Sequence, residues 1–196
     1  MISVWPNANE DTDNYAEFKK AGLLLPECGI YNAFSADGRA LYWKQAKSGL
    51  YSYGIDAWWC DSSEPFTPEW IHIERTEPAK MYEEYCRDVQ NHMPIELGNA
   101  YAFYHAQGIY EGQRSENDGK RVVNLTRSAY TGQQRYGTIL WSGDTFASWD
   151  TLKRQISAGL NFSASGMPYW TTDIGAFFVK RGSAWYWRGD FEGCFD

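Results

Sequence analysis

The sequence lacks the features that mark several common functional classes. No Cys-x-x-Cys pair occurs among its 4 cysteines and only 3 histidines are present, so no metal-ligand spacing is visible. No apolar run approaches the ~18 residues that a membrane-spanning helix needs. Lys and Arg form no cluster, and the net charge is −7. We therefore expect no metal or organic cofactor, no nucleic acid partner and no membrane insertion.

The cysteines and the start of the chain give two further expectations. Cys28, Cys60, Cys86 and Cys194 are scattered, which favours buried free thiols over disulfides. No secretory leader opens the chain, and "ISVWPN" directly after Met1 has the pattern of a strand. We expect this start to be internal to a longer protein.

Hydrophobic and aromatic residues are abundant in the chain. Hydrophobic residues make up 43% and aromatic residues 17%, including 10 Trp, which is enough for a folded core. Flat amphipathic rings stack on sugars and bases. Because the chain is acidic, sugars are the better-matched ligand.

Strand and helix patterns alternate along most of the chain. The predicted strands are "ISVW", "IDAWWC", "KRVVNLTR", "GTILWSGD" and "MPYWTTDIG". Helices are predicted over "NEDTDNYAEFKKAG" with an Asp or Asn cap, between Gly38 and Gly54, over 97–114 despite Gly108, and after Ser148. Residues 66–94 interrupt this rhythm as an excursion with its own short helix. The alternation predicts a parallel sheet buried on both faces, either an open doubly wound sheet or a barrel.

Polar residues follow four of these strands. Asp61, Arg127, Asp144 and Asp173 each come at or just after a strand end, a placement typical of catalytic groups in (β/α)8 barrels. However, five strands are too few to close such a barrel. A strand-end Asp is also a common helix cap or loop acceptor, so Asp144 could cap the next helix and Glu64 could bond to its neighbours.

Asp61 and Asp144 are the two acids that could act as a catalytic pair. Each has a tryptophan nearby, Trp59 and Trp141 respectively, and an apolar neighbour raises the pKa of a carboxyl group. Two carboxyl groups in different environments are what glycosidic-bond cleavage needs.

Several motifs resemble glycoside hydrolase family 31, and they occur in the order found in that family. "DAWWCDSSEP" resembles the family's nucleophile signature at the fourth barrel strand, and "NLTRSAYTGQQRYGTILWSGD" is similar to its fifth and sixth strands. "GLNFSASGMPYWTTDIGAF" looks like the seventh strand, and "ISVWPN" like the third. The resemblance implies an α/β fold, a partial (β/α)8 TIM barrel of about strands 3 to 7 with their helices. Residues 1–196 would be one fragment of a single catalytic barrel.

The resemblance also implies residue roles. Asp61 would be the nucleophile and Asp144 the acid and base, with carboxyl groups ~5–5.5 Å apart in the intact enzyme. The residues expected to bind or support the substrate are Trp59 beneath the nucleophile, Arg127, Trp141, Asp173 and Phe177, with Glu64 holding the nucleophile loop. Ala176 replaces the second Gly of the family's usual DIGGF motif. At the nucleophile signature, Cys60, Ser62 and Ser63 differ from the commoner Asp-Met-Asn-Glu sequence.

Within the family, "HAQGIYEGQR" with the nucleophile motif looks most like bacterial α-xylosidases that act on xyloglucan-type oligosaccharides. An oligosaccharide substrate and the remainder of the parent glycosidase chain are then the expected partners. The family's first two strands, its eighth strand and a pocket histidine have no counterpart, and His72, His92 and His105 are interpreted as surface or packing residues. We expect the isolated chain to be unstable, with little turnover.

Other functions remain open on sequence alone. An α-glucosidase, an α-galactosidase or a transglycosylase of the same family would carry the same motifs. A non-catalytic carbohydrate-binding domain would use the aromatic residues without the acids, although such domains are usually all-β. An α/β domain whose acids only cap helices is a further alternative.

Overall fold

The computed structural model describes residues 1–66, 77–116, 119–181 and 184–187. Seven strands are present in these ranges: β1 (Ile2–Val4), β2 (Trp58–Cys60), β3 (Asn124–Thr126), β4 (Thr138–Trp141), β5 (Trp170–Thr171), β6 (Phe178–Arg181) and β7 (Ala184–Trp187). The α-helices are α1 (Asp13–Ala21), α2 (Ala36–Gly49), α3 (Pro78–His92), α4 (Tyr101–Glu116) and α5 (Trp149–Ala164). Short 3-10 helices span Tyr51–Tyr53, Ile95–Ala100 and Gln133–Tyr136.

Strands β1 to β5 form one parallel sheet in chain order. Consecutive parallel neighbours need a crossover between them. It contains at least one α-helix in every case except between β3 and β4, where it holds the 3-10 helix Gln133–Tyr136. All five predicted strands and the helices between them are present. This arrangement is the one expected of an arc of a (β/α)8 barrel.

The two faces of the sheet differ in burial. Trp58 and Cys60 on the helix-covered face are 0% and 1% exposed, whereas Trp59 between them is 40% exposed. The prediction that the strands are buried on both faces is therefore wrong for this chain. The physical reason is that α2 and α4 cover only the face that carries Trp58 and Cys60. On the opposite face, nothing within the described residues shields Trp59 fully from solvent.

Helices α2 and α4 pack closely against each other and onto β2. The indole of Trp43 on α2 meets the Trp58 ring edge-on at 5.8 Å. Trp58 also donates from Nε1 to Oε1 of buried Gln113 on α4 at 2.7 Å. A Cβ added at Gly112 would lie 2.2 Å from Cγ of Trp43. Because Gly112 has no side chain, α2 and α4 can approach closely at this point. This packing role accounts for a glycine in the middle of α4.

The helix ends mostly follow the sequence signals. Ser148 caps α5 by accepting from the amide of Thr151, and Gly22 ends α1 with φ of 67°. The N-cap of α1 is Thr12 and not the predicted Asp or Asn. Its hydroxyl accepts the same backbone hydrogen bond that a carboxylate or amide would accept.

The histidines within the described residues serve packing. His105 is fully buried, with Nδ1 2.8 Å from the Tyr31 hydroxyl, and burial lowers its pKa to about 3. His92 stacks on Phe66 with ring centroids 4.5 Å apart. His72 lies outside the described residues, as do residues 67–76 of the predicted excursion. The helix predicted within this excursion is α3, which is 15 residues long.

Cys28, Cys60 and Cys86 are free thiols, as expected, but only Cys60 is buried, because the other two lie where the packing leaves part of the side chain exposed. Cys194 lies outside the described residues. The hairpin of β6 and β7 was not predicted, because "MPYWTTDIG" was interpreted as the last strand. It pairs antiparallel, with Phe178 opposite Trp187. The aromatic and β-branched residues of this segment were an available signal for strands.

We predict that Gly112→Ala destabilises the protein by roughly 1–3 kcal/mol, because the new methyl group must displace the Trp43 ring. Urea unfolding of the full-length protein measures the change. Gly49→Ala is the matched control, since nothing lies within 4 Å of a Cβ at Gly49, and it should change stability by less than about 0.5 kcal/mol. Equal losses in the two variants would contradict the packing account.

Candidate active site

The carboxyl ends of the parallel strands bring the predicted polar residues to one edge of the sheet. Asp61 directly follows β2 and Arg127 directly follows β3. Asp144 comes three residues after β4, and Asp173 two residues after β5. Because parallel strands all end at the same edge, residues that are distant in sequence become neighbours there.

Arg127 lies at the centre of this edge, in contact with three carboxyl groups. Its Nη1 is 2.8 Å from Oδ2 of Asp144, and its Nη2 is 2.6 Å from Oε1 of Glu64. Its Nε is 3.5 Å from Oδ1 of Asp61. The structure therefore brings the two predicted catalytic aspartates and Glu64 together around one guanidinium group.

Arg127 is the most enclosed member of the cluster. Its side chain is 8% exposed, against 18–20% for the three carboxylates. Burial acts to lower the pKa of Arg127, but the negative charges of Glu64, Asp61 and Asp144 outweigh it and raise the pKa above its ordinary value. The guanidinium therefore stays charged across the working pH range.

Asp144 is electrostatically suited to keep a proton. Burial raises its pKa above the ordinary value, and the negative charges of Asp61 and Asp173 raise it further. Arg127 opposes this shift through its charge and its hydrogen bond. The net rise favours the protonated carboxyl group, which is the form a proton donor needs.

Asp61 begins a tight turn after β2. The amide of Ser62 donates to Oδ1 of Asp61 at 2.8 Å, and Ser62 itself has φ of 48°. A positive φ is uncommon for a serine. The turn directs the loop so that the Ser62 hydroxyl also accepts from Nη2 of Arg127 at 3.2 Å.

A set of hydroxyl groups links the loops after β2 and β3. Ser128 donates from Oγ to Oε2 of Glu64 at 2.8 Å. The Ser63 and Thr126 hydroxyls are 2.6 Å apart, and each residue is 1% exposed. The sequence analysis gave no role in the site to Ser62, Ser128 or Thr126. Their positions directly beside Asp61 and Arg127 were the available signal.

The predicted aromatic residues differ in their surroundings. Trp59 lies two residues before Asp61, and its ring meets the Trp141 ring edge-on at 5.6 Å. Trp141 is 4% exposed. Phe177 lies on a loop that is bonded to the loop of Asp144, its amide donating to the Thr145 carbonyl at 3.0 Å.

Asp173 lies close enough to Asp144 to raise its pKa. The following turn contains Ala176 with φ of 60°, at the position where the family's DIGGF motif has its second glycine. The amide of Ala176 donates to the Asp173 carbonyl at 2.9 Å. The turn thus forms despite the cost of a left-handed alanine.

The alternative that Asp144 caps the next helix is not what the structure shows. Ser148 is the N-cap of α5, and the Asp144 carboxylate is bonded to Arg127. Glu64 likewise contacts Arg127 and Ser128, across to the neighbouring loop. These contacts are compatible with the predicted role of Glu64 in holding the nucleophile loop.

Within the described ranges, no group of three or more His, Cys, Asp or Glu side chains is arranged to hold a metal ion. In the same part of the chain, no helix combines the length and apolar character that a membrane span requires.

Comparison with known proteins identifies a family for this chain. Residues 1–193 match the family model described as the glycosyl hydrolases family 31 TIM-barrel domain. An α-xylosidase from Saccharolobus solfataricus is 43% identical over 185 residues, which is 90% of this chain and 23% of that protein. A protein of Pseudescherichia vulneris named as an uncharacterized family 31 glucosidase is 33% identical over 190 residues, 90% of this chain and 34% of that protein.

A solved structure shares the fold. The crystal structure of a family 31 α-xylosidase from Xanthomonas citri matches 92% of this chain and 20% of its own with a TM-score of 0.74 and 34% identity. The prediction of a partial (β/α)8 barrel is confirmed by the family match and this structure. The chain spans about a quarter to a third of the length of the two curated relatives.

We predict that Asp144→Asn raises the thermal midpoint of the full-length protein at pH 7, by on the order of 1 °C. The raised pKa of Asp144 means that the folded state binds this proton more tightly than the unfolded state does. Stability is therefore highest below the ordinary Asp pKa and falls as pH rises through the raised pKa. An asparagine at position 144 cannot ionise, so the variant does not lose this stability as the pH rises.

Scanning calorimetry between pH 3.5 and 8 checks this prediction. The gain should be present at neutral pH and should shrink as the pH falls below the ordinary Asp range. Asp11→Asn, at an exposed turn position, is the matched control and should give no such pH-dependent gain. A constant difference at every pH would contradict the sign of the shift.

Proposed function

The chain belongs to glycoside hydrolase family 31, and we propose that it carries the catalytic residues of a retaining α-glycosidase acting on α-xylosides of xyloglucan-type oligosaccharides. The observation that supports this proposal most directly is the contact of Asp61 and Asp144 with one buried guanidinium group. Residues 1–196 would be one part of a single catalytic barrel, with 66–94 as an excursion from it. The remainder of a parent glycosidase chain and an oligosaccharide would be its partners.

In the first proposed step, Asp61 attacks the anomeric carbon of the bound sugar. The bond to the leaving oxygen breaks, and Asp144 donates its proton to that oxygen. The products are a sugar ester on Asp61 with inverted anomeric configuration, an ionised Asp144 and the released alcohol. The raised pKa of Asp144 supports its part as the donor.

In the second step, Asp144 removes a proton from water while the water oxygen attacks the anomeric carbon. The ester bond to Asp61 breaks, the anomeric configuration is restored, and Asp144 is again protonated. Arg127 stays charged through both steps and is proposed to bind the sugar in the pocket. Trp59, Trp141, Asp173 and Phe177 are proposed to line or orient this pocket.

The substrate class rests on the relatives. The 43% identical protein and the Xanthomonas citri structure are named α-xylosidases. The name of the Pseudescherichia vulneris relative supports the second candidate, an α-glucosidase. The two candidates share the chemistry and differ in whether the pocket accepts the substituent at C5 of the sugar.

We expect the full-length protein to hydrolyse an aryl α-xyloside with kcat/KM at least ~10-fold above that for the matching aryl α-glucoside. A pocket shaped for xylose excludes the extra hydroxymethyl group of glucose. Steady-state kinetics on the two substrates, with the same leaving group, measure the ratio. A ratio below one would replace the first candidate with the second, and no hydrolysis of either would contradict the proposed function.

The two aspartates should respond differently to azide. Asp61→Ala should lower turnover of an activated aryl α-xyloside roughly 10⁴-fold or more. Azide should then replace the missing carboxylate and attack directly, releasing β-xylosyl azide. Asp144→Ala should lower turnover about 10²–10⁴-fold, and azide should attack the sugar ester from the other face and release α-xylosyl azide.

Proton NMR of the products distinguishes the two anomers. Asp11→Ala serves as the control and should give neither azide product. The same anomer from both aspartate variants, or the reversed assignment, would show that the roles of Asp61 and Asp144 are not those proposed.

A further inference from the structure

Glu64 is a charged residue of the site to which the two-aspartate reaction gives no chemical step. Its side chain is 18% exposed, close to the values for Asp61 and Asp144. We propose that Glu64 is a positioning residue that holds the Nη2 group of the Arg127 guanidinium and so keeps this group away from Asp61. This inference rests on the proposed function of Asp61 as the nucleophile.

Both carboxylate oxygens of Glu64 bind groups of the loop after β3. Oε1 lies 2.6 Å from Nη2 of Arg127, and Oε2 accepts from the Ser128 hydroxyl at 2.8 Å. The two donors are adjacent residues on that loop. A carboxylate bound at both oxygens has a fixed orientation, so it fixes the position of the guanidinium group that it contacts.

The loop that presents Ser128 is itself held by buried hydroxyl groups. The Thr126 hydroxyl donates to the Ser128 carbonyl at 3.1 Å. A hydroxyl has one proton to donate, so the Ser63 hydroxyl donates to Thr126 across the 2.6 Å contact. Ser63 is the residue before Glu64, so this hydroxyl pair joins the loop after β2 to the end of β3 next to the carboxylate.

This arrangement determines which edge of the guanidinium each acid meets. Nη1 is taken by Asp144 at 2.8 Å, and Nη2 by Glu64 at 2.6 Å with Ser62 as a further acceptor at 3.2 Å. Asp61 faces Nε at 3.5 Å, which is longer than the usual 2.7–3.2 Å of a hydrogen bond. The nucleophile therefore has the longest of the three carboxylate contacts.

The length of that contact matters for the chemistry. A guanidinium that bound Asp61 through a short hydrogen bond from Nη2 would stabilise the ionised carboxylate before it attacks. Stabilising the ground state more than the transition state slows the chemical step. Glu64, by competing for Nη2, leaves Asp61 near a positive charge without a tight pair.

The test compares three variants of the full-length protein. Glu64→Met keeps the length of the side chain but has no acceptor, and we expect kcat/KM on an activated aryl α-xyloside to fall about 10²-fold. Glu64→Gln keeps an acceptor for Nη2 and should lose much less. Glu111→Met is the matched control at an exposed position of α4 and should retain full activity.

A double-mutant cycle separates positioning from general support of the loop. If Glu64 acts through Arg127, adding Glu64→Met to an Arg127→Met protein should change kcat/KM by no more than about twofold. If Glu64 only stabilises the loop, the same 10²-fold loss should appear in both backgrounds. The second result would overturn the proposal.

Crystal structures of the Glu64→Gln and Glu64→Met proteins give a readout that needs no activity. In the Glu64→Met structure we expect an Nη group to have turned to within hydrogen-bond distance of Asp61. Arg127 unmoved there would overturn the proposal. A wild-type protein without α-glycosidase activity would refute the proposed function, and the crystal structures would still decide the positioning role.

Discussion

One enclosed cation shared by three carboxylates is the interaction on which the site depends. Arg127 carries one positive charge among Asp61, Glu64 and Asp144, so the cluster has a formal excess of negative charge when all three acids are ionised. Burial raises the pKa of Asp144, the negative charges of Asp61 and Asp173 add to this rise, and Arg127 opposes it. The positive charge of the same guanidinium group offsets the repulsion among the three carboxylates and so allows them to lie close together.

The rest of the fold serves to bring these groups to one edge. The loops that carry them follow three adjacent parallel strands, and the register of the sheet places β2 beside β3 and β3 beside β4. The helix-covered face is tightly packed, with Trp58 bonded to Gln113 and Gly112 receiving the Trp43 ring. This packed layer supports the strands from which the loops of the proposed catalytic residues extend, and a site built on packed elements is held more precisely than one on loops alone.

Much of the fold could be predicted from the sequence because strand and helix patterns are local. The five parallel strands and the helices between them follow from apolar runs and from residues such as Gly22 and Ser148. The hairpin after Asp173 was missed although its residues favour strands, because "MPYWTTDIG" was interpreted as the last strand. The uneven burial of Trp58 and Trp59 could not be predicted, since continuous apolar strands do not reveal which face the helices leave open.

The candidate site was less accessible to prediction. Strand-end positions identified Asp61, Arg127 and Asp144, and the family resemblance supplied their roles. The contacts of Glu64 with Arg127 and Ser128 depend on two loops that are 64 residues apart in sequence, so no local pattern encodes them. Their discovery required the relative placement of β2 and β3.

Mapping a trapped sugar ester tests the central claim most directly. The full-length protein would be incubated with a 5-fluoro-xylosyl fluoride, a slow substrate that forms the ester faster than water removes it, and then digested for peptide mass spectrometry. The account predicts that the label lies on Asp61 and that the carboxyl group of Asp144 stays unlabelled. A label on Asp144, on Glu64 or on any other residue would contradict it.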